Sequence, residues 1–183
     1  MAEIKSAIEL AMEKTRNLVV DSKEREAMAI KDIEDKVKAV LRRYMEEMVD
    51  DEDAAKELNK INADLTLKRT LIVDAVVEEF DVRKNNEPLL ALMYAAGIDL
   101  PETIRRELET LSKTFREEVE ARKMVVRERI SDSLAESGIA GNGIEPNLVA
   151  WDEWREEVEQ AGNAFKQRME ELKDKIKATK RNL

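Results

Sequence analysis

The chain has 183 residues, of which 40% are charged and only 4% aromatic, and it carries a formal net charge of −9. So little bulky apolar material argues against a thick globular core, and the abundance of Ala, Glu, Lys, Leu and Arg predicts long helices packed through narrow seams. The acidic balance disfavours nucleic acid and anionic membrane surfaces, and the lack of cysteine and histidine removes thiol chemistry and the commonest general base.

Residues 2–20 read as a first helix, with Ile4, Ala11 and Leu18 on one seam and Ile8 and Thr15 beside it. Ser22 suits a helix cap, and the acidic side chains that follow favour the positive end of a helix. The series Ile30, Ile33, Val37, Val40, Leu41, Tyr44 and Met48 marks the second helix. The acidic cluster Asp50–Asp53 starts a third. A calcium loop would use such carboxylates too, but it needs a central glycine and a distant glutamate that do not follow here.

An interruption is expected at Asn62–Asp64. Beyond it, Leu65 to Phe80 is apolar on more than one face and should be buried by several neighbours. Its stretch Thr70–Val77 is β-rich, yet flanks and length favour helix. Asn86 looks like a cap and Pro88 a first-turn residue for a short helix, apolar nearly all round, that ends at Gly97 with Ile98 as the following hydrophobic contact.

Pro101 to Ser137 reads as one long helix, with Asp99 and Glu102 spaced as a capping box. Its seam, Ile104, Leu108, Leu111, Phe115, Val119, Val126, Ile130 and Leu134, has Arg122 in its one gap. The steps of three and four lie nearer an eleven-residue repeat than a strict heptad, which suits a nearly straight rod of roughly 55 Å. The short helix, glycine turn and long helix invite comparison with DNA-binding units. Arg105 and Arg106 are offset by Glu102, Glu107 and Glu109, so no basic recognition face results.

Residues 138–146 hold three of the five glycines and form the one long loop. The Lys-Ser/Thr of a phosphate-binding loop is missing, so a turn between two antiparallel helices is expected. Asn147 would cap the last helix, whose seam runs Trp151, Trp154, Val158, Ala161, Phe165, Met169, Leu172 and Ile176. The turn would bring both tryptophans near Ile130 and Leu134. Residues 166–183 carry 7 basic against 3 acidic side chains, complementing the helix dipole or offering a dock for an acidic partner. Lys177 is placed on the polar side of this helix.

Glu46-Glu47-Met48-Val49-Asp50 and the later Glu78-Glu79-Phe80-Asp81 have carboxylates at helical spacing. Together they resemble the Glu-Glu-x-x-Glu and Glu-x-x-Asp pattern with which the all-α nucleotide pyrophosphatases hold magnesium against a polyphosphate. Asp50 stands where that pattern has Glu. The resemblance would make Glu46, Glu47, Asp50, Glu78 and Asp81 magnesium ligands. In a chain with 41 acidic residues, the plainer reading is a solvated acidic face.

The expected architecture is therefore all-α and elongated: a helical arm over 1–53, a compact helical region over 54–100, and the long helix, glycine-rich turn and C-terminal helix over 101–183. The expected function is structural: a cytoplasmic scaffold, stalk, adaptor or chaperone-like holder that acts as a coiled-coil-like homodimer without a cofactor. Trp151, Trp154, Lys173, Lys177, Lys180 and Arg181 are the candidates for contact with an unknown, acidic protein partner. The alternative is the magnesium-dependent hydrolase.

Overall fold

A computed structural model describes Ile8, residues 22–139, Gly141 and residues 145–179. The helix expected over 2–20, apart from Ile8, and Lys180 and Arg181 lie outside the described residues. From Ser22 onward the chain forms α1 (Ser22–Met45), α2 (Asp51–Lys60), α3 (Leu65–Glu78), α4 (Glu87–Ala95) and α5 (Glu102–Glu136). A 3-10 turn (Leu148–Ala150) then leads into α6 (Asp152–Thr179). Among the described residues there is no strand, and the stretch Thr70–Val77 is helical.

The helix ends follow local chemistry closely. Asp50 accepts from the Asp53 amide at 2.8 Å and so starts α2. Asp64 accepts from the Thr66 and Leu67 amides at 2.9 and 3.1 Å and starts α3 after the break at 61–64. Three helices close with the same pair of backbone bonds around a left-handed residue. For α4 these are Gly97 to Tyr94 and Ile98 to Met93, and for α5 Gly138 to Ala135 and Ile139 to Leu134. Both glycines have φ near 80°. In α1 the left-handed position is filled by Glu47, at φ 55° the one described non-glycine residue with positive φ.

Three expected caps are not made. Asn86 precedes α4 as anticipated, but its side chain turns inward: it donates to the Asp81 carbonyl and accepts from the Asp81 amide, tying the 81–86 loop to itself. Asn85 takes over by accepting from the Glu87 amide at 3.1 Å. Asp99 does not close a capping box with Glu102; it pairs with Arg105 instead, and Pro101 occupies the cap position. Asn147 stands before the 3-10 turn and makes no side-chain cap. The expectation that α4 is apolar all round and deeply packed also needs correction. Leu89, Leu92 and Met93 are buried, whereas Tyr94 is 67% exposed.

The main core gathers side chains from all six helices, from Val37, Val40 and Leu41 in α1 to Met169, Leu172 and Ile176 in α6. As the lack of a polar face in α3 requires, that helix is covered on several sides, packing on α1, α4 and α6. Phe115 and Phe165 meet edge-to-face inside this core, with centroids 5.5 Å apart.

α6 runs back antiparallel along α5. Ion pairs record the antiparallel register: Glu107 with Lys175, Arg122 with Glu157 at 2.7 Å, and Arg129 with Glu153 at 2.9 Å. Towards the turn a second, smaller cluster forms from Val126, Ile130 and Leu148, with Leu134, Trp151 and Trp154 against it. Arg122, the gap in the α5 seam, lies in sequence between the two clusters and is held by Glu118 and Glu157.

Candidate functional site

A groove of about 870 Å³ lies between α1 and α3, with Lys177 of α6 in its lining. Its apolar strip is Leu41, Met45, Leu71 and Ala75; charged side chains, among them Lys38, Arg42, Glu46, Asp74 and Glu78, rim it. The arrangement follows from the two helices themselves. The α1 seam turns its buried side, Val37, Val40 and Leu41, into the core, and the polar flank of the same turns becomes one wall.

Glu78 is a carboxylate of this groove held from the facing helix. Lys177 pairs with it, and that contact holds the Glu78 carboxyl below the usual glutamate range and pushes the Lys177 ammonium up. Lys38, exposed at the groove rim, is pushed up by its bond to Glu34 on the previous turn.

The five magnesium candidates are spread over different surroundings. Glu46 and Glu78 share the α1–α3 groove. Glu47 and Asp50 line a neighbouring depression of about 480 Å³, where the Asp50 side chain is engaged as the α2 cap. Asp81 lines a third depression and accepts from the Arg83 amide at 2.8 Å. Among the described residues, no three or more carboxylates gather in a group able to hold a metal ion.

The partner candidates divide as well. Trp151 and Trp154 pack near Ile130 and Leu134 as expected, and both are half-buried. Lys173 is buried: its ammonium donates to the Glu78 carbonyl at 3.1 Å and pairs with Glu170 at 3.3 Å. Lys177 is not on a free polar side but is part-buried against α3 through Glu78. Both lysines are thus spent inside the molecule. Charge counting along α6 could not show this, because their partner is 95 or more residues away.

The apolar surface around α1 belongs to the seam expected from the sequence but lies outside the residues named there for partner contact. Ser22–Asp32 are exposed at every position, with Met28 63% and Ile30 37% exposed. Met45 and Met48 are also open, beside a depression floored by Tyr44, Val49, Pro88 and Leu89. The Tyr44 hydroxyl donates to the Pro88 carbonyl at 2.8 Å, and burial pushes its phenol up. The signal was present in the seam, since Ile30 and Ile33 continue the line that Val37 and Val40 bury. No helix among the described residues is long and apolar enough to cross a membrane. Comparison with protein-family models, with curated proteins and with solved structures found no match to this chain.

Proposed function

We propose that the chain is a structural or interaction protein, a scaffold, adaptor or holder, that works as a homodimer through coiled-coil-like helix pairing. The observation that supports this is the N-terminal half of α1. Three turns of helix from Ser22 to Asp32 lie exposed, yet carry the continuation of a buried apolar seam. A helix of that length is marginal in water by itself and gains its stability from a packed face.

A second copy suits this face. Residues 22–36 hold four basic and five acidic side chains, nearly neutral in a chain of net charge −9. Two copies therefore meet there without strong like-charge repulsion, and interleaved signs favour antiparallel pairing. Size exclusion with light scattering tests it. The expected mass is about twice 21.0 kDa, falling to one chain in Ile30→Asp. A wild-type monomer at micromolar concentration overturns the reading.

A further inference from the structure

A helix-interior glycine normally costs about 1 kcal/mol relative to alanine. Gly162 sits in the middle of α6 and is buried. It leaves room for Arg83 from the loop between α3 and α4: a Cβ built on Gly162 would lie 2.4 Å from a guanidinium nitrogen of Arg83 and 2.7 Å from its Nε. The arginine therefore lies directly on the backbone of α6. It gains no counter-ion by doing so. Among the described residues the Arg83 side chain has neither a hydrogen bond nor an ion pair, and the same holds for Lys166, one turn further along α6.

Both cations face a depression of about 210 Å³ whose wall includes the buried Lys173. The acids there are Asp81 and Glu170. Asp81 accepts from the Arg83 amide, and Glu170 is paired with Lys173 at 3.3 Å. Lys173, Asp81 and Glu170 are thus all engaged, and Arg83 and Lys166 remain as the cations without a partner, in a chain that is acidic as a whole. On the other side of Arg83, the cleft towards α5 is lined by Lys84, Arg105 and Arg116 together with Glu87 and Glu109, and there Lys84 pairs with Glu79 and Arg105 with Asp99.

We propose that Arg83, seated on Gly162 with Lys166 beside it, forms a binding site for a phosphate-type oxyanion. A planar guanidinium offers paired N–H donors to such a group, and Lys166 adds charge from the facing helix. The site is independent of self-association, because none of its residues belongs to α1.

The test is a titration of the full chain with inorganic phosphate at constant ionic strength, following the unfolding midpoint and the 31P line width. The expected result is a saturable rise of the midpoint in the millimolar range, with at least tenfold weaker apparent affinity in Arg83→Gln and no change in Lys36→Gln. Each variant is compared with its own phosphate-free midpoint, so a loss of basal stability does not enter. Parallel titrations with phosphoserine and with a nucleoside monophosphate identify the source: tighter saturation by a monoester assigns the seat to a phosphorylated ligand, and equal saturation assigns it to the free ion. A phosphate response equal to that of chloride, or one unchanged in Arg83→Gln, overturns the proposal.

Discussion

The ammonium of Lys173 donates to the main-chain carbonyl of Glu78 at 3.1 Å, so a residue of α6 closes the C-terminal end of α3. The last carbonyls of a helix have no partner within it, and the negative end of its dipole favours a cation there. One turn on, Lys177 takes the side-chain carboxylate of the same glutamate. Main chain and side chain of Glu78 are thus gripped by two lysines on one face of α6.

The two grips differ in worth because they differ in exposure. Lys173 is 7% exposed, and truncation would leave a carbonyl without its charged donor. Lys173→Ala should lower unfolding stability by about 2 kcal/mol. Lys177→Ala removes a contact whose carboxylate is well exposed, and should cost less than about 1 kcal/mol. Urea unfolding of the two variants checks the order; equal losses would mean that the Glu78 carbonyl does not need Lys173.

The pH dependence follows from the same pair. Glu78 titrates below its ordinary range, so its contribution is complete above that range and fades as pH falls through the lowered value. Lys177 titrates above its ordinary range, so its contribution is complete at lower pH and fades as pH rises through the raised value. With no histidine or cysteine, no side chain has an ordinary pKa between these ends. The unfolding midpoint should stay level from about pH 6 to pH 9, and decline in acid and in strong base. Thermal scans across pH check this, and Glu78→Gln should flatten part of the acid decline.

Trp154 lies against Val126, Ile130 and Leu148 but remains half-buried. Trp154→Ala should therefore cost about 2 kcal/mol, below the roughly 3–5 kcal/mol of a fully buried aromatic. Acrylamide should quench the native tryptophans to an intermediate degree, between a buried indole and a free one. Denaturant unfolding and quenching together check the partial burial.

Glu47 and Gly97 occupy the same position in two equivalent helix ends. A residue with a Cβ is strained there by about 1–2 kcal/mol, whereas glycine is not. Glu47→Gly should raise stability, by less than that figure because glycine also loosens the unfolded chain. Gly97→Ala should lower stability by about 1 kcal/mol through backbone strain, since no atom lies within 4 Å of the added Cβ. Matched unfolding curves check the opposite signs.

What could be read from the sequence was mostly local. Gly97 announces a left-handed helix end, the acidic cluster Asp50–Asp53 announces the start of α2, Asn62–Asp64 announces a break, and Pro101 and Gly138 place α5 within a residue of its observed limits. These signals act over four or five residues, so the chain itself carries them. What could not be read depends on partners far away in sequence. Asn86 forgoes a cap because the loop behind it offers two backbone bonds, and Asp99 does so because Arg105 is within reach. Lys173 looks like a solvent lysine until α3 is laid across it. The Arg83 seat depends on a glycine 79 positions later, which along the sequence reads only as a weak point in a helix.

Arg122 also has a consequence for cooperativity. A charged residue at a seam position carries little apolar cohesion from Phe115 to Val126, so the α5–α6 hairpin belongs to two cohesive units. The part nearer its turn rests on a handful of side chains, and its amides can become accessible without any loss of the main core. Hydrogen exchange along α5 is thereby set to run in two tiers, fast beyond Arg122 and slow before it.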